Sequence, residues 1–149
     1  MYYFIGIKGS GMASLATILS DLGYQVEGSD IEKHFFTEEG LLQRNIKINK
    51  YDESNIKEGL TIVKGASIKE DNIELIKARK LNLEILEYNE MVGKLTDMFK
   101  TICICGCHGK TTTTSMISLC FLEAGLDPSI QVGAILKQLN GNSRIGNSE

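Results

Sequence analysis

The residues best suited to chemistry form one run, Cys105-Gly106-Cys107-His108-Gly109-Lys110-Thr111-Thr112-Thr113-Thr114. It follows an apolar, β-prone stretch, Thr101-Ile102-Cys103-Ile104, and leads into a helix-patterned segment, Ser115 to Ala124. Strand, glycine turn, Lys-Thr and helix in that order build a phosphate cradle. Backbone N–H groups of the turn and of the helix N-terminus point at phosphate oxygens, and the helix dipole favours negative charge there. Lys110 has the reach for terminal phosphates, and the Thr111 hydroxyl suits Mg²⁺. These two are the catalytic candidates. The loop is a short G-x-x-G-K-T, because Ile104 stands where a full G-x-x-x-x-G-K-[ST] has its first glycine. The bland alternative is a glycine turn before a threonine-rich helix start. Four threonines are poor mid-helix residues, so their place at a helix start asks for a reason.

A second glycine cluster opens the chain. Tyr2-Tyr3-Phe4-Ile5 reads as a buried strand running into Gly6-Ile7-Lys8-Gly9-Ser10-Gly11-Met12. Met12, Leu15, Ala16, Leu19 and Leu22 then recur at helical spacing. The next strand, residues 24–28, ends at Ser29-Asp30. Asp30 lies about twenty residues beyond the glycines, where a dinucleotide fold places the acid that holds a ribose hydroxyl. The glycine order is G-x-x-G-x-G rather than G-x-G-x-x-G, which favours a nucleotide or sugar-nucleotide over NAD.

The elements that must position these loops alternate. A helix is expected over 37–44, a strand over 46–48, a polar turn at 52–55 and a strand over 60–63, with Gly65-Ala66-Ser67 at its carboxyl end. Residues 71–80 read as a helix that starts near Asp71 and turns Ile73, Ile76 and Ala78 inward. Leu83–Leu86 is a fifth strand. Residues 88–99 form a helix with Met91, Val92, Leu95 and Phe99 on one side. Alternating β and α elements predict a parallel sheet with helices on both faces. Ligands in such sheets bind outside the carboxyl ends of the strands, where the Gly6–Gly11, Asp30 and 65–67 segments should share one crevice. Residues 101–105 then begin a second nucleotide unit. Pro128 and the Gly/Asn-rich tail 140–148 add a turn and a loop but no further hydrophobic run. The expected organisation is a first domain over 1–98 and the incomplete opening of a P-loop domain over 99–149.

The bulk properties exclude several classes. The chain has 149 residues and a formal net charge of −3, with no basic stretch, which argues against a nucleic-acid binder. No apolar run approaches a membrane span, and Met1 leads directly into a strand, so no membrane association and a cytoplasmic location are expected. The four cysteines, Cys103, Cys105, Cys107 and Cys120, do not have zinc-knuckle spacing. Buried apolar filler is the expected role of Cys103, Cys105 and Cys120. Cys107 falls in the phosphate turn, where a helix N-terminus favours the thiolate.

Taken together, the 6–12 turn, Gly28-Ser29-Asp30 and the 106–114 run resemble the Mur ligases of peptidoglycan synthesis. The resemblance covers the whole chain, as the N-terminal third of such an enzyme, and is strongest to members that add L-alanine to UDP-N-acetylmuramate. It implies a Rossmann-like first domain that holds the UDP part of the substrate, and a central domain that binds ATP and Mg²⁺. Residue by residue, Gly9, Ser10, Gly11 and Met12 would lie against the substrate diphosphate. Ser29 and Asp30 would meet the uridine end, and Ala66 and Ser67 would line the same site. Gly106, Cys107, His108, Gly109, Lys110, Thr111 and Thr112 would bind ATP, with Thr111 beside Mg²⁺. Asn140 and Arg144 lie near where the family places a polar loop over the substrate. Cys107 departs from the Thr or Ala more usual there, but only its backbone N–H is needed. The implied chemistry is ATP-dependent amide formation. ATP phosphorylates the lactyl carboxylate, and the L-alanine amine attacks the acyl phosphate.

Three other readings are open. One is the related recycling ligase that joins a whole peptide to the same sugar nucleotide. Another is a non-catalytic dinucleotide-binding module that uses only the first loop. The third is a structural or interaction domain with idle glycine loops.

Overall fold

The computed structural model describes residues 1–139 and 141–147. In chain order come β1 (Tyr2–Ile5), α1 (Ser10–Asp21), β2 (Val26–Ser29), α2 (Glu38–Gln43), β3 (Lys47–Asn49), β4 (Thr61–Lys64), α3 (Ile73–Lys80), β5 (Ile85–Glu87) and α4 (Tyr88–Thr96). Short 3₁₀ turns occupy Glu53–Asn55, the expected polar turn, and Lys137–Leu139. The strands form one parallel sheet in the order β3-β2-β1-β4-β5. The chain therefore walks outward from β1 to β3, then crosses back to place β4 on the other side of β1. That reversal of direction between β1 and β4 is where open α/β sheets bind ligands.

Side chains alternate across the sheet, as strand geometry requires. Phe4, Val63 and Leu86 face a core with Leu15, Ala16 and Leu19 of α1, Leu41 of α2, and Met91 and Leu95 of α4. Tyr3, Ile5 and Ile62 point the other way, against Leu75 and Ala78 of α3 and against Ile56. Helices thus cover both faces, as the alternating pattern predicts.

Helix α3 departs from expectation in its inward face. It starts near Asp71 as expected, and its cap is Asn72, whose side-chain oxygen accepts the N–H groups of Glu74 and Leu75 at 2.9 and 3.1 Å. Its inward face is Glu74, Leu75 and Ala78, while Ile73 and Ile76 are 49% and 38% exposed. A carboxylate holds a core position here because it is fully hydrogen-bonded. Glu74 accepts from the Tyr3 hydroxyl at 3.0 Å, from Asn55 Nδ2 at 2.7 Å and from the Asp52 N–H at 3.2 Å. The Ser29 hydroxyl donates to its other oxygen. Burial and the neighbouring carboxylate push the Tyr3 hydroxyl far above its ordinary pKa, whereas its contact with Ser29 opposes the rise.

Beyond α4 the chain forms α5 (Lys110–Glu123), β6 (Ile130–Leu136) and β7 (Gly141–Arg144). The expected strand over 101–105 is absent: the segment pairs with no described strand, and all of it but Ile104 is exposed. Without a sheet to enter, its cysteines are not core filler; Cys103, Cys105, Cys107 and Cys120 are all exposed free thiols. The tail differs in the opposite sense. In place of loop alone, β6 and β7 make an antiparallel ribbon. It leans on α1, where Thr17 Oγ1 and Ser143 Oγ lie 2.8 Å apart and Asn142 Nδ2 donates to the Ser10 carbonyl at 3.1 Å. Gly133 interrupts the apolar pattern of β6, so the strand has no continuous hydrophobic run. Among the described residues, no helix is long and apolar enough to cross a membrane.

Candidate functional site

The first glycine turn joins β1 to α1 at the sheet's reversal point. Gly6 has φ +85°, a left-handed conformation that only glycine adopts cheaply, and Ile68 packs 3.0 Å from where its Cβ would stand. The N–H groups of Gly6 and Ile7 donate to the Ser29 carbonyl at 2.9 and 3.1 Å, which fastens the turn to the end of β2. The Gly65 N–H donates to the Ile5 carbonyl at 3.1 Å, which fastens the 65–67 segment to the end of β1. The three segments expected to share a crevice therefore meet around the carboxyl ends of β1, β2 and β4.

Helix α1 begins immediately after the turn, with Gly9 as its N-cap and no side chain capping it. Its first helical bond runs from Ala13 N–H to the Gly9 carbonyl at 2.8 Å. The N–H groups of Ser10, Gly11 and Met12 thus belong to the helix end that favours an anion. Ser10 is exposed and Met12 buried. Gly9 and Gly11 differ in their reasons for being glycine. A Cβ on Gly9 would make only ordinary contacts, 3.5 Å to the Gly6 carbonyl and 3.7 Å to Met12. A Cβ on Gly11 would lie 2.8 Å from the Tyr88 hydroxyl. Packing explains Gly11. It does not explain Gly9, which is exposed.

Asp30 sits beside this helix end, and its carboxylate is already engaged by backbone. Its Oδ2 accepts the Lys8 N–H at 2.7 Å and its Oδ1 accepts the Ile31 N–H at 2.8 Å. Ser29 is fully buried, with its hydroxyl on Glu74. Ala66 and Ser67 are exposed at the end of β4. Below them Lys64, itself 8% exposed, ties the ends of β4 and β5 through Glu70 at 2.8 Å and Glu87 at 2.9 Å. These hydrogen bonds raise the Lys64 pKa. Lys64 and Arg79 together hold the Glu70 carboxyl down at about 2.

The second glycine loop has the cradle's local geometry in a more open setting. Gly109, the N-cap of α5, has φ +77°, again a left-handed glycine conformation. Lys110 folds back over the loop, donating to the Gly106 carbonyl at 2.7 Å and the Cys107 carbonyl at 3.3 Å. Thr111 and Thr112 are exposed on the first turn, and no side chain caps the helix. The hydroxyls of Thr114, Ser115 and Ser118 donate to the carbonyls of Lys110, Thr111 and Thr114 at 2.8, 2.7 and 2.7 Å, which accommodates hydroxyl side chains within a helix. An uncapped helix end, a retracted lysine and an exposed threonine hydroxyl fit a nucleotide triphosphate and its Mg²⁺. Among the described residues, no group of three His, Cys, Asp or Glu side chains is placed to hold a metal.

Strand β6 connects the two loops. Gln131 donates to the Tyr88 hydroxyl at 3.4 Å, directly behind Gly11. Two residues on, Gly133 lies beside Thr111, whose hydroxyl would be 3.5 Å from a Cβ there. Of the tail residues linked to the substrate loop, Arg144 pairs with Asp127 and Asn140 lies outside the described residues. Lys8, Glu74, Tyr88 and Gln131 were not among the sequence candidates. Their partners lie far along the chain, and no local spacing marks them.

Comparison with known proteins agrees with this geometry. The family described as "Mur ligase family, catalytic domain" matches residues 1–100. The UDP-N-acetylmuramate–L-alanine ligase of Lactiplantibacillus plantarum is 52% identical over 118 residues, 79% of this chain and 27% of that protein. The enzyme of the same name from Pediococcus pentosaceus is 48% identical over 126 residues, 85% of this chain and 28% of that protein. The chain thus spans little more than a quarter of these relatives. Among solved structures, the UDP-N-acetylmuramate–alanine ligase of Thermotoga maritima superposes with a TM-score of 0.90 at 25% identity, over 99% of this chain and 35% of that one. The UDP-N-acetylmuramate:L-alanyl-γ-D-glutamyl-meso-diaminopimelate ligase of Neisseria meningitides shares the fold, with a TM-score of 0.89 at 24% identity over 97% of this chain and 46% of that one. By its matched residues, its sheet and its relatives, the chain belongs to the Mur ligase family.

Proposed function

We propose that this chain is the N-terminal part of an ATP-dependent, cytoplasmic ligase that joins L-alanine to UDP-N-acetylmuramate. Residues 1–98 form the UDP-sugar site and residues 99–149 open the ATP site. The observation that carries this reading is strand β6, which sets Gln131 on the Tyr88 hydroxyl behind Gly11 and, two residues on, Gly133 beside Thr111. Two residues of strand span about 7 Å. One strand packed against both helices that follow the glycine loops suits a reaction between two phosphate-bearing substrates.

The chain's residues divide the work. The N–H groups of Ser10, Gly11 and Met12 receive the diphosphate, and the bare backbone at Gly9 lets it approach. Asp30 lies at the uridine end, Ser29 is buried beneath it on Glu74 and offers the substrate no side chain, and Ala66 and Ser67 close the crevice from β4. The 106–112 loop holds the triphosphate, Lys110 swings from its own loop carbonyls to the terminal phosphates, and Thr111 offers its hydroxyl to Mg²⁺. When bound, MgATP supplies the phosphoryl group that activates the sugar's carboxylate for attack by the amine. Lys110 then stabilises charge that develops during transfer. L-Alanine is favoured over a peptide as the amine by the relatives at 52% and 48% identity, both L-alanine ligases by name.

Calorimetric titration with UDP-N-acetylmuramate, NAD and MgATP tests the proposal. One-to-one binding of the UDP-sugar and none of NAD is expected. Preference for NAD would replace the reading with a dinucleotide-binding module. Given UDP-N-acetylmuramate, L-alanine and MgATP together, this chain is expected to release no phosphate above background, because its described residues hold no acidic cluster for Mg²⁺. Ligated product from the purified chain would contradict the division of labour.

A further inference from the structure

A lysine inside a glycine turn invites the role of phosphate ligand, but Lys8 points the other way. It is 7% exposed, and its ammonium donates to the Ile31 carbonyl at 2.9 Å, the Lys33 carbonyl at 3.0 Å and the Glu38 carboxylate at 2.9 Å. An ammonium has three N–H donors, and all three are committed. Its backbone is committed to the same segment. The Lys8 N–H donates to Asp30 at 2.7 Å, and its carbonyl accepts the Thr37 hydroxyl at 2.6 Å. Glu38 completes the tie by accepting the Phe35 N–H at 2.9 Å, and the ion pair holds its carboxyl below the ordinary value.

The segment held in this way, 31–37, has no helix or strand, and Ile31, Glu32, Lys33, His34 and Phe36 are exposed. Little apolar burial is available to order it. Hydrogen bonds to one buried cation hold its middle, and the Thr37 hydroxyl on the Lys8 carbonyl holds its end, along a path that starts at Asp30.

We propose that Lys8 is a positioning residue for the nucleoside end of the crevice. Its ammonium sets segment 31–37 as the wall beside Asp30 that a bound uridine meets. This rests on the UDP-sugar reading above. Lys8 touches no ligand itself; it acts through the segment it holds.

The test uses Lys8→Met and Lys8→Arg, with UDP and UDP-N-acetylmuramate as probes and amide hydrogen exchange as a readout that needs no ligand. In Lys8→Met the amides of Ile31, Phe35 and Glu38 should exchange about tenfold faster or more, while those of β1 and β4 keep their wild-type rates. Affinity for both probes should fall by the same factor, about tenfold, because only their shared nucleoside end is disturbed. Lys8→Arg, which keeps a cation with several donors, should recover most of the loss. A merely structural role would slow or speed exchange across the whole sheet and would show no such recovery. Wild-type exchange at 31–38 in Lys8→Met would overturn the proposal, as would probe affinity within twofold of wild type. If the wild-type chain binds neither probe, the UDP-sugar reading fails. The role of Lys8 as the tie on segment 31–37 is then decided by exchange alone.

Discussion

The two glycine loops follow nearly the same local recipe, yet the structure sets them in different surroundings. The 6–12 turn is held on several sides: to β2 through Ser29, to the segment after β4 through Ile68 packed on Gly6, to Tyr88 against Gly11, and to segment 31–38 through Lys8. The 106–112 loop follows an extended segment that enters no described sheet, and its lysine bonds the loop's own carbonyls. Local sequence is sufficient to shape a left-handed glycine and an uncapped helix end. A rigid site needs the sheet as well. The first loop is thus a rigid, uncapped helix end, and the second has the same local geometry without a described strand to hold it.

The sharpest way to break this comparison is to attack the support of each loop. Glu74→Leu would leave the Tyr3, Ser29 and Asn55 side chains and the Asp52 N–H without their acceptor beneath the first turn. We expect a loss of about 3 kcal/mol or more in urea-induced unfolding. Lys110→Ala, at the exposed second loop, should change stability by no more than about 0.5 kcal/mol. Similar small effects at both positions would show that the two loops are equally independent of the sheet.

Gly9 and Gly11 separate binding from packing within the first loop. Gly9→Ala meets only ordinary contacts, so the melting temperature should hold while UDP-N-acetylmuramate affinity drops about tenfold. Gly11→Ala would press on the Tyr88 hydroxyl and should lower both affinity and melting temperature. Equal affinity for Gly9→Ala and wild type, read by calorimetry, would remove close backbone approach from the account. At the second loop, MgATP should bind more weakly than the micromolar range, and Lys110→Ala should leave UDP-sugar affinity untouched.

The smallest expected effect is electrostatic. Glu70 has its folded-state pKa lowered from 4.5 to about 2, first by Lys64 and then by Arg79. A depressed carboxyl contributes stability above its unfolded pKa and loses it as pH falls through the folded one. Glu70→Gln should therefore be slightly less stable than wild type above pH 4.5, with the gap closing toward pH 2. A gap that widened on acidification would reverse the sign of the interaction.

What was legible in the sequence was what depends on neighbours in the chain. The β1-turn-α1 unit, Asp30 at the end of β2 and the helical run after Gly109 are local patterns, and the structure realises them. What escaped depends on distant partners. Lys8 is defined by residues 31, 33 and 38, so its neighbours in the turn suggest the wrong direction. Glu74 sits inward because Tyr3, Ser29 and Asn55 converge on it, and its charge disguised the true inner face of α3. The Asn72 cap was the one signal that could have set that helix in phase. The 101–105 segment has strand composition without a strand, because pairing is a property of two segments and no described partner stands beside it. Strand β6 was hidden for the converse reason: its pattern is broken by Gly133, at the place where it passes Thr111.

The central claim, that the first turn is the preformed substrate site, is tested most directly by mapping backbone amide NMR shifts during titration with UDP-N-acetylmuramate. The account predicts saturable shifts concentrated at residues 6–12, 29–37 and 65–67, with residues 106–112 unmoved. Shifts centred on 106–112, or none at 6–12 at saturation, would contradict it.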